Sequence, residues 1–458
     1  MKVVICGAGQ VGSAIARYLS REENDVTVID TDPKLVRQIS DTLDVQGLVG
    51  YASHPDVLER AGTADADLLI AVTFADEVNM VACSIAHSLF EVPTKIARIR
   101  AQTYLDPRWP DLVHRADMGI DAIISPEIEV ARAVARRLQI PGAFDTIPLS
   151  DGRVTLVGVH CHADCPVINT PLRQLTELFP DLHISVVAII RSDVKIVPSG
   201  DDLMMAGDDV YFVADSRHLD RALAAFGHEE PEARRLIIVG AGNIGLFVAQ
   251  QVEEEKLASE VRIIEIDRLR AERAAQVLQR TIVLQGDALD PEVLIEANVK
   301  ATETVIAVSN DDEVNILASL LAKRHGAQRS VTLINKMTYA PLLGSLGIDA
   351  VVSPRSITVS TILQHVRRGR IRSVHTLADG FAEIIEADAL ETSRLVGVPL
   401  REAKFPAGIV VGAIIRSDEV ITPRGDTVIE VGDRVVIFAV ADAVKHVEKM
   451  FSVRLEFF

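Results

Sequence analysis

The sequence predicts an α/β fold built as two tandem repeats, each with a larger lobe of alternating strands and helices and a smaller α+β lobe. One observation is a glycine-rich turn after an apolar strand, GAGQVG at Gly7–Gly12, which returns as GAGNIG at Gly240–Gly245. Another is the tetrapeptide DEVN, which begins at Asp76 and recurs letter for letter from Asp312. The 458 residues are therefore predicted to form two related halves.

In the larger lobe, short Val/Ile/Leu-rich segments alternate with helical segments. The predicted order is KVVICG, a helix from Val11, VTVID, a helix from Pro33, VQGLVGYA, a helix from Pro55, LLIAVT, a helix from Asp76, KIARIR and AIISP. Apolar strands separated by helices indicate a parallel sheet that is covered on both faces. We therefore predict that each larger lobe is a Rossmann-like, doubly wound parallel-sheet lobe.

A helical stretch leads out of each larger lobe, at 127–138 in the first half and 356–366 in the second. The smaller lobe combines β-rich segments with one short helix near TPLRQLTELF, which predicts an α+β lobe. It is also repeated, since AIIRSD begins at Ala188 and again at Ala413. We expect four parts, each smaller lobe including its linker helix, with the boundaries 1–125, 126–230, 231–353 and 354–458.

Composition restricts the partners and the environment. A net charge of −18 and an isoelectric point near 5.1 oppose binding to nucleic-acid phosphates, and 4% aromatic residues offer few stacking platforms. No apolar run approaches the roughly 20 residues that cross a bilayer, and the chain opens without a signal-peptide pattern. We expect a cytoplasmic protein that does not bind nucleic acid.

The glycine-rich turns are candidate phosphate sites. Gly7 allows the tight turn, Gly9 lets a pyrophosphate approach the backbone, and Gly12 lets the helix pack on the sheet. An acid at the end of the next strand, Asp30 or Glu265, is expected to accept hydrogen bonds from ribose hydroxyls, which favours NAD(H) or an adenine nucleotide over NADP. The alternative is that the glycines only pack a helix on a sheet.

Further candidates lie where ligands bind open α/β sheets, at the carboxyl ends of the strands. Thr73 and Phe74 follow LLIAV, and Ser309 and Asn310 are their counterparts in the second half. The acids of DEVN, by contrast, are attributed mainly to the favourable interaction of a carboxylate with a helix N-terminus.

Arg98 and Arg100 alternate along KIARIR, so they are expected to share one face of a strand. There they would reach a phosphate, or they are two solvated arginines at a strand end. The second half has Leu333 and Asn335 at these positions. We therefore expect the two sites to differ in ligand or in affinity.

Two other clusters leave alternatives open. VHCHADC, at residues 159–165, contains metal-ligand types, or it is an alternating strand and loop that happens to be rich in Cys and His. The basic clusters ARRL at 135–138 and HVRRGRIR at 365–372 are solvated helix ends, or they dock to an acidic or membrane-embedded partner.

The function classes also differ in what they require. A dehydrogenase needs a domain that presents substrate and a proton donor to the nicotinamide, and the halves share no histidine or lysine constellation of that kind. Two nucleotide sites without such groups favour a sensor, in which binding shifts a conformational equilibrium. An NAD-dependent oxidoreductase is the main alternative, and a scaffold whose halves merely pack is a third.

The paired lobes, together with MKVVICGAGQVG, DADLLIAVTFADEVNMVAC and SVVAIIRSD, resemble tandem RCK (KTN) modules, the regulators of potassium conductance found in the cytosolic regulatory subunits of the bacterial Trk potassium-uptake system. The resemblance covers the whole chain. It implies a non-enzymatic subunit with NAD(H), ATP or ADP as regulatory ligands. From the residues themselves we expect no metal. The resemblance also implies a homo-oligomeric ring, a dimer or tetramer, on the cytoplasmic face of the inner membrane, with a potassium-translocating subunit of the TrkH or TrkG type as partner.

The resemblance also assigns ligand-site residues by position. In the first half they are Gly7, Ala8, Gly9, Gln10, Val11, Asp30, Thr73, Phe74 and Arg98. In the second half they are Gly240, Ala241, Gly242, Asn243, Ile244, Glu265, Ser309 and Asn310.

Overall fold

The computed structural model describes residues 1–105, 108, 118–179, 182–192, 194–366, 371–377 and 380–451. The larger lobe of the first half contains β1 (Lys2–Cys6), α1 (Gln10–Arg21), β2 (Asp25–Asp30), α2 (Pro33–Thr42), β3 (Gln46–Val49), α3 (Pro55–Arg60), β4 (Leu68–Ala71), α4 (Asp76–Ser88), β5 (Thr94–Arg98) and β6 (Ala122–Ile124). The strands form a parallel sheet in the order β3-β2-β1-β4-β5-β6. This is the predicted Rossmann-like order.

The linker helix α5 (Pro126–Gln139) leads into the first smaller lobe. That lobe contains β7 (Ala143–Leu149), β8 (Val154–His160), α6 (Leu172–Leu178), β9 (Ile184–Arg191), β10 (Val194–Ile196), β11 (Asp209–Asp215) and α7 (Leu219–Ala225). Its sheet is antiparallel, in the order β10-β9-β11-β8-β7. The predicted helix is α6, whereas α7 was not predicted.

The larger lobe of the second half repeats the first. It contains β12 (Arg235–Val239), α8 (Asn243–Glu255), β13 (Glu260–Glu265), α9 (Arg268–Val277), β14 (Ile282–Gln285), α10 (Pro291–Glu296), β15 (Thr304–Ala307), α11 (Asp312–Arg324), β16 (Arg329–Leu333), α12 (Ala340–Leu346) and β17 (Ala350–Val352). Its parallel sheet has the order β14-β13-β12-β15-β16-β17. The doubly wound topology is therefore present twice.

The chain continues through the linker helix α13 (Pro354–Val366) into the second smaller lobe. That lobe contains β18 (Ile371–Leu377), β19 (Ala382–Asp388), β20 (Ile409–Arg416), β21 (Glu419–Ile421), β22 (Arg434–Val440) and α14 (Val444–Phe451). Its antiparallel sheet has the order β18-β19-β22-β20-β21. The fold is thus two tandem α/β repeats, as predicted.

The chain divides into two compact units, Met1–Glu129 with Pro354–Arg368, and Val130–Ser353 with Gly369–Phe458. In the first unit, α13 of the second half packs against α1 of the first lobe. Ile362, Leu363 and Val366 join Ile15 and Leu19 in one buried cluster. The linker helix therefore completes the core of a lobe that lies more than 200 residues earlier in the chain.

In the second unit, the two smaller lobes share a core. Leu156 of β8 and Val213 of β11 lie in one buried cluster with Ile384 of β19 and Phe438 of β22. Gly412 of β20 allows this approach, because a Cβ atom there would lie 2.8 Å from the Val213 Cγ2 atom. The two antiparallel sheets therefore pack on each other.

The arginine of the repeated AIIRSD block makes the same ion pair in both smaller lobes. Arg191 donates hydrogen bonds from Nε and one terminal nitrogen to the two oxygens of Asp208, at 2.8 and 2.7 Å. Arg416 makes the same forked pair with Asp433, at 2.9 Å for each bond. Both aspartates are almost completely buried. A bidentate arginine–carboxylate pair thus ties two strands together in each smaller lobe.

The basic cluster at 135–138 is not a solvated helix end. The Arg137 side chain is 9% exposed and lies 2.7 Å from the Asp145 carboxylate. It also donates to the Phe144 carbonyl. Residues 367–370 of the other basic cluster lie outside the described residues.

In the part of the chain that the structure describes, no helix has both the length and the apolar character that a bilayer crossing requires.

Candidate functional site

In the first glycine-rich turn, the fold requires glycine at two of the three positions but not at the middle one. Gly7 has φ +114°, which favours glycine, and a Cβ on Gly12 would lie 1.8 Å from the Gly7 carbonyl oxygen. A Cβ on Gly9 would meet no atom within 4 Å, and Gly9 has an ordinary φ of −67°. The geometry of the turn therefore requires glycine at positions 7 and 12, whereas no neighbouring atom requires it at Gly9.

The second turn repeats this geometry. Gly240 has φ +100°, and a Cβ on Gly245 would lie 1.9 Å from the Gly240 carbonyl oxygen. A Cβ on Gly242 would again meet nothing within 4 Å. In both halves the backbone is bare at the middle glycine, where a pyrophosphate approaches in the Rossmann arrangement.

The helices that begin at these turns lack a side-chain cap among the described residues. Gly9 and Gly242 are the N-cap residues of α1 and α8, and neither first turn contains an acid. By contrast, Asp32 and Asp267 cap α2 and α9 by accepting hydrogen bonds from backbone N–H groups. The first-turn amides and the positive helix dipole of α1 and α8 are thus left for an anion.

Asp30 ends β2 beside the first turn. One carboxylate oxygen accepts a hydrogen bond from the Ala8 N–H at 2.7 Å, and the other accepts from the Asp32 N–H at 2.9 Å. Asp30 is only half-buried. Each oxygen has a second lone pair, so the carboxylate still has acceptor capacity for ribose hydroxyls.

Glu265 is the counterpart of Asp30, but its surroundings differ. It accepts from the Ala241 N–H at 2.6 Å and the Asp267 N–H at 2.9 Å, which repeats the backbone pattern of the first half. In addition, the Arg270 guanidinium lies 3.0 Å from Oε1, and Glu265 is 4% exposed. Oε1 is therefore fully used, and the second acid has less acceptor capacity than the first.

Thr73 is held by a residue that the sequence did not single out. The Thr73 N–H and hydroxyl lie 2.8 and 2.7 Å from Oδ1 of Asn79, the last residue of DEVN. The Asn79 amide nitrogen donates to the Arg98 carbonyl at 2.9 Å. Because Asn79 is completely buried, it fixes the ends of β4 and β5 against α4. Its repetition in both halves, as the last residue of DEVN, is the signal by which the sequence could have identified it.

The second half keeps this arrangement. Ser309 donates its N–H to Asn315 Oδ1 at 2.8 Å, and Asn315 donates to the Leu333 carbonyl at 3.0 Å. Leu333, which replaces Arg98, is almost completely buried. The scaffold is therefore common to both halves, whereas the arginine belongs to the first half alone.

Asp76 does not act mainly through the helix dipole, as the sequence had suggested. It is 7% exposed, and Oδ2 accepts the backbone N–H groups of Arg100 and Ala101 at 3.0 and 2.7 Å. Asp76 therefore fastens the loop after β5 to the start of α4. In the second half, Asp312 accepts the N–H groups of Asn335 and Lys336, one on each carboxylate oxygen.

The two arginines do not share a strand face. β5 ends at Arg98, and Arg100 lies in the following loop, where its Nε is 3.0 Å from Glu127 Oε1. Arg98 is mostly buried, and its Nε has no hydrogen-bond partner among the described residues. Burial lowers the pKa of Arg98, and Arg100 lowers it further. The interpretation of two solvated arginines is therefore wrong for Arg98, because its side chain is mostly buried.

The remaining candidates lie at the same edge of each parallel sheet. Phe74 is 83% exposed, and the Arg100 guanidinium carbon lies 5.3 Å from its ring centre. Gln10, Asn243 and Asn310 are exposed. The other candidates at the turns are buried or half-buried: Ala8, Val11, Ala241 and Ile244. The structure thus brings the first-half residues together around one turn and the second-half residues around the other.

The VHCHADC segment makes internal contacts. His160 Nδ1 lies 2.7 Å from Asp209 Oδ1, and His228 Nε2 lies 3.0 Å from the His160 carbonyl. Cys161 and Cys165 are buried thiols. Within the described ranges, no group of three or more His, Cys, Asp or Glu side chains is arranged to hold a metal ion.

The fold and the site define a class: a tandem protein in which two Rossmann-like lobes with bare, uncapped glycine turns alternate with two antiparallel lobes. Family models agree with this division. The TrkA-N domain model matches residues 3–126 and 236–354, and the TrkA-C domain model matches 156–227 and 384–452. The chain belongs to the TrkA family of Trk system potassium uptake proteins.

Full-length relatives support this assignment. The chain is 55% identical to a Trk system potassium uptake protein TrkA of Azorhizobium caulinodans, over 100% of both chains. It is 41% identical to the protein of the same name from Halomonas elongata, again over 100% of both. These relatives are named as potassium uptake proteins and not as enzymes.

Solved structures share the fold at low identity. The GsuK RCK domain matches with a TM-score of 0.59 and 18% identity, over 98% of this chain and 94% of that chain. A GsuK channel bound to NAD matches with the same TM-score and identity, over 98% of this chain and 78% of that chain. The tandem lobes thus share the fold of these structures.

Proposed function

We propose that this chain is a regulatory subunit that binds NAD(H) and adenine nucleotides at its two glycine turns and thereby gates potassium uptake through a membrane partner. One observation carries the proposal: the middle glycine of each turn faces open space at the start of an uncapped helix. A ligand that contains adenosine and a pyrophosphate fits such a turn. Its pyrophosphate would bind at the helix N-terminus, and its ribose hydroxyls would bind the acid at the end of the next strand. A channel of the same fold was solved with NAD bound, which supports this ligand class.

In this proposal the first-half residues Gly7 to Val11, Asp30, Thr73, Phe74 and Arg98 bind one ligand. Arg98 supplies a desolvated positive charge at the sheet edge, and Phe74 supplies an exposed ring. In the second half the ligand is bound by Gly240 to Ile244, Glu265, Ser309 and Asn310. ATP and ADP act as regulators beside NAD(H).

The partner is proposed to be an integral-membrane potassium-translocating subunit of the TrkH or TrkG type, with this chain as a homo-oligomeric ring, a dimer or tetramer, on the cytoplasmic face of the inner membrane. Nucleotide binding would change the positions of the larger lobes, and the pore would respond. Family membership supports this, because the relatives are named as parts of a potassium uptake system. The free energy for this change would come from the difference in nucleotide affinity between two conformations of the chain.

Calorimetric titration of NAD, NADH, ADP and ATP tests the binding sites. In Gly9→Asp and Gly242→Asp the new carboxylate is expected to cap the helix, so that it blocks a phosphate while the fold is kept. Each variant is expected to lose one of the two adenine-nucleotide sites, whereas Gly425→Asp, in an exposed position of the second smaller lobe, keeps both. Unchanged stoichiometry in both turn variants would contradict the proposal.

A further inference from the structure

The joining segment, residues 227–234, connects the first smaller lobe to the second larger lobe and contains a buried histidine. His228 is 5% exposed, and its Nε2 lies 3.0 Å from the carbonyl oxygen of His160, the last residue of β8. Its Nδ1 lies 3.1 Å from Glu230 Oε1. Both ring nitrogens therefore make polar contacts, one to the first smaller lobe and one within the joining segment.

The joining segment also contacts the second larger lobe. Arg329, the first residue of β16, donates a hydrogen bond to the Pro231 carbonyl at 3.2 Å. The Arg329 guanidinium also interacts electrostatically with the Glu230 carboxylate. His228, Glu230 and Arg329 thus form a series of contacts that runs from the first smaller lobe to the second larger lobe.

The contact between His228 and Glu230 is closely covered on one side and borders solvent on another. Gly142 has φ +87°, and a Cβ there would lie 2.7 Å from the His228 Cβ atom and 2.8 Å from Glu230 Oε2. The turn between α5 and β7 therefore packs directly on the pair. The Glu230 side chain is 38% exposed, so a proton at this contact can exchange with water.

The two partners of the His228 ring require a proton between Nδ1 and Oε1. A carbonyl oxygen only accepts hydrogen bonds, so Nε2–H must donate to the His160 carbonyl. Nδ1 of a neutral ring with this tautomer would present a lone pair to an ionised carboxylate, which also only accepts. Burial raises the pKa of Glu230, but the hydrogen bond with His228 outweighs it and holds that pKa below its ordinary value. The proton therefore lies on the histidine.

Other titratable groups surround the pair and must be separated from it. The ring centre of His162 lies 5.6 Å from that of His228, and Cys165 lies within its electrostatic reach. The His160 ring faces Asp209 at 2.7 Å, and this hydrogen bond raises the pKa of His160. A test of the His228 proton therefore needs variants of the neighbouring histidines.

We propose that His228 and Glu230 form a proton-dependent latch, which fastens the joining segment while a proton lies between Nδ1 and Oε1 and releases it when that proton is lost. The latch is closed at low pH and opens as the pH rises, because the proton is what makes the contact favourable. It goes beyond the proposed function, since it needs no nucleotide. The second larger lobe is then attached to the first smaller lobe more firmly in acid than in base.

Hydrogen–deuterium exchange of the unaltered full-length protein tests the latch. The reporter is the peptide that spans residues 227–234, in which the His228 N–H donates to the Leu223 carbonyl at 2.9 Å. Between about pH 6 and about pH 9, exchange of this peptide, corrected for the intrinsic rate, is expected to accelerate about tenfold to a hundredfold. A corrected rate that does not change with pH would overturn the proposal.

Glu230→Gln isolates the proton. Its amide N–H can donate to the neutral ring, so the latch is expected to stay closed and the pH response to disappear. Exposed Glu229→Gln is the matched control and is expected to behave like the wild type. The double variant His160→Gln/His162→Gln keeps the main-chain carbonyl and is expected to keep the response.

Two further outcomes would overturn the proposal. A wild-type response in Glu230→Gln, or its loss in the double histidine variant, would assign the titration to another group. Rapid exchange in Glu230→Gln at every pH would show that the carboxylate charge, and not the shared proton, fastens the segment.

Discussion

At the scale of single residues, the Asp and Asn of DEVN explain why this tetrapeptide persists in both halves. Asp76 and Asn79 fasten the loops after β4 and β5 to α4. The sequence predicted the glycines and Asp30, because their spacing after an apolar strand is informative. It did not predict Asn79 or the burial of Arg98, because their partners lie on other elements and alternation along a strand does not reveal where the strand ends.

Replacing Asn79 tests this role. Asn79→Ala leaves the Thr73 N–H and the Arg98 carbonyl without their partner, so the variant is expected to lose about 2 kcal/mol of unfolding free energy and several degrees of thermal midpoint. Differential scanning calorimetry measures the shift. Asn315→Ala is the matched variant and is expected to behave alike, whereas Ser88→Ala, at the end of α4, serves as control. An unchanged midpoint in Asn79→Ala would mean that these contacts do not stabilise the lobe.

At the scale of elements, strands and helices of the larger lobes were largely predictable. β4 is buried at every position, and proline at the first helical position marks the start of α2 and of α3. The helices α7 and α14, which close the smaller lobes, were missed, because each is short and is separated from the preceding strand by a single three-residue turn. Periodicity over seven or eight residues is too weak a signal to establish a helix.

Strand β18 carries a pH-dependent contribution to stability. Burial lowers the pKa of His375 from 6.5 to about 4. In the unfolded chain this histidine takes up a proton below about pH 6.5, whereas in the folded chain it stays neutral until about pH 4. The free energy of unfolding therefore decreases as the pH is lowered through this window. The loss from this residue is at most about 3 kcal/mol.

Urea unfolding at several pH values between about 7 and about 4.5 measures this effect. Relative to the wild type, His375→Gln is expected to show a flatter decline in unfolding free energy as the pH falls, because glutamine does not titrate. His446→Gln, at an exposed position of α14, is the control and is expected to follow the wild type. A decline of the same slope in His375→Gln would show that other groups cause it.

At the scale of the whole molecule, the sequence predicted the duplication of the chain. It did not predict which parts of the two halves pack against each other. The repeats in the sequence give two halves, yet α13 of the second half completes the core of the first lobe, and the two smaller lobes share a core of their own. Such contacts join residues more than 200 positions apart. Local patterning identifies the apolar faces of Ile362 and Val213 but not which distant face each of them meets.

The central claim is that nucleotides at the two turns control potassium flux. Its most direct test is nucleotide-dependent potassium flux through the membrane subunit, reconstituted in vesicles with this chain. The wild type is expected to change the flux when NADH, ATP or ADP is added, and the double variant Gly9→Asp/Gly242→Asp is expected to assemble with the membrane subunit but to give the same flux with and without nucleotide. A full nucleotide response in the double variant would contradict the account.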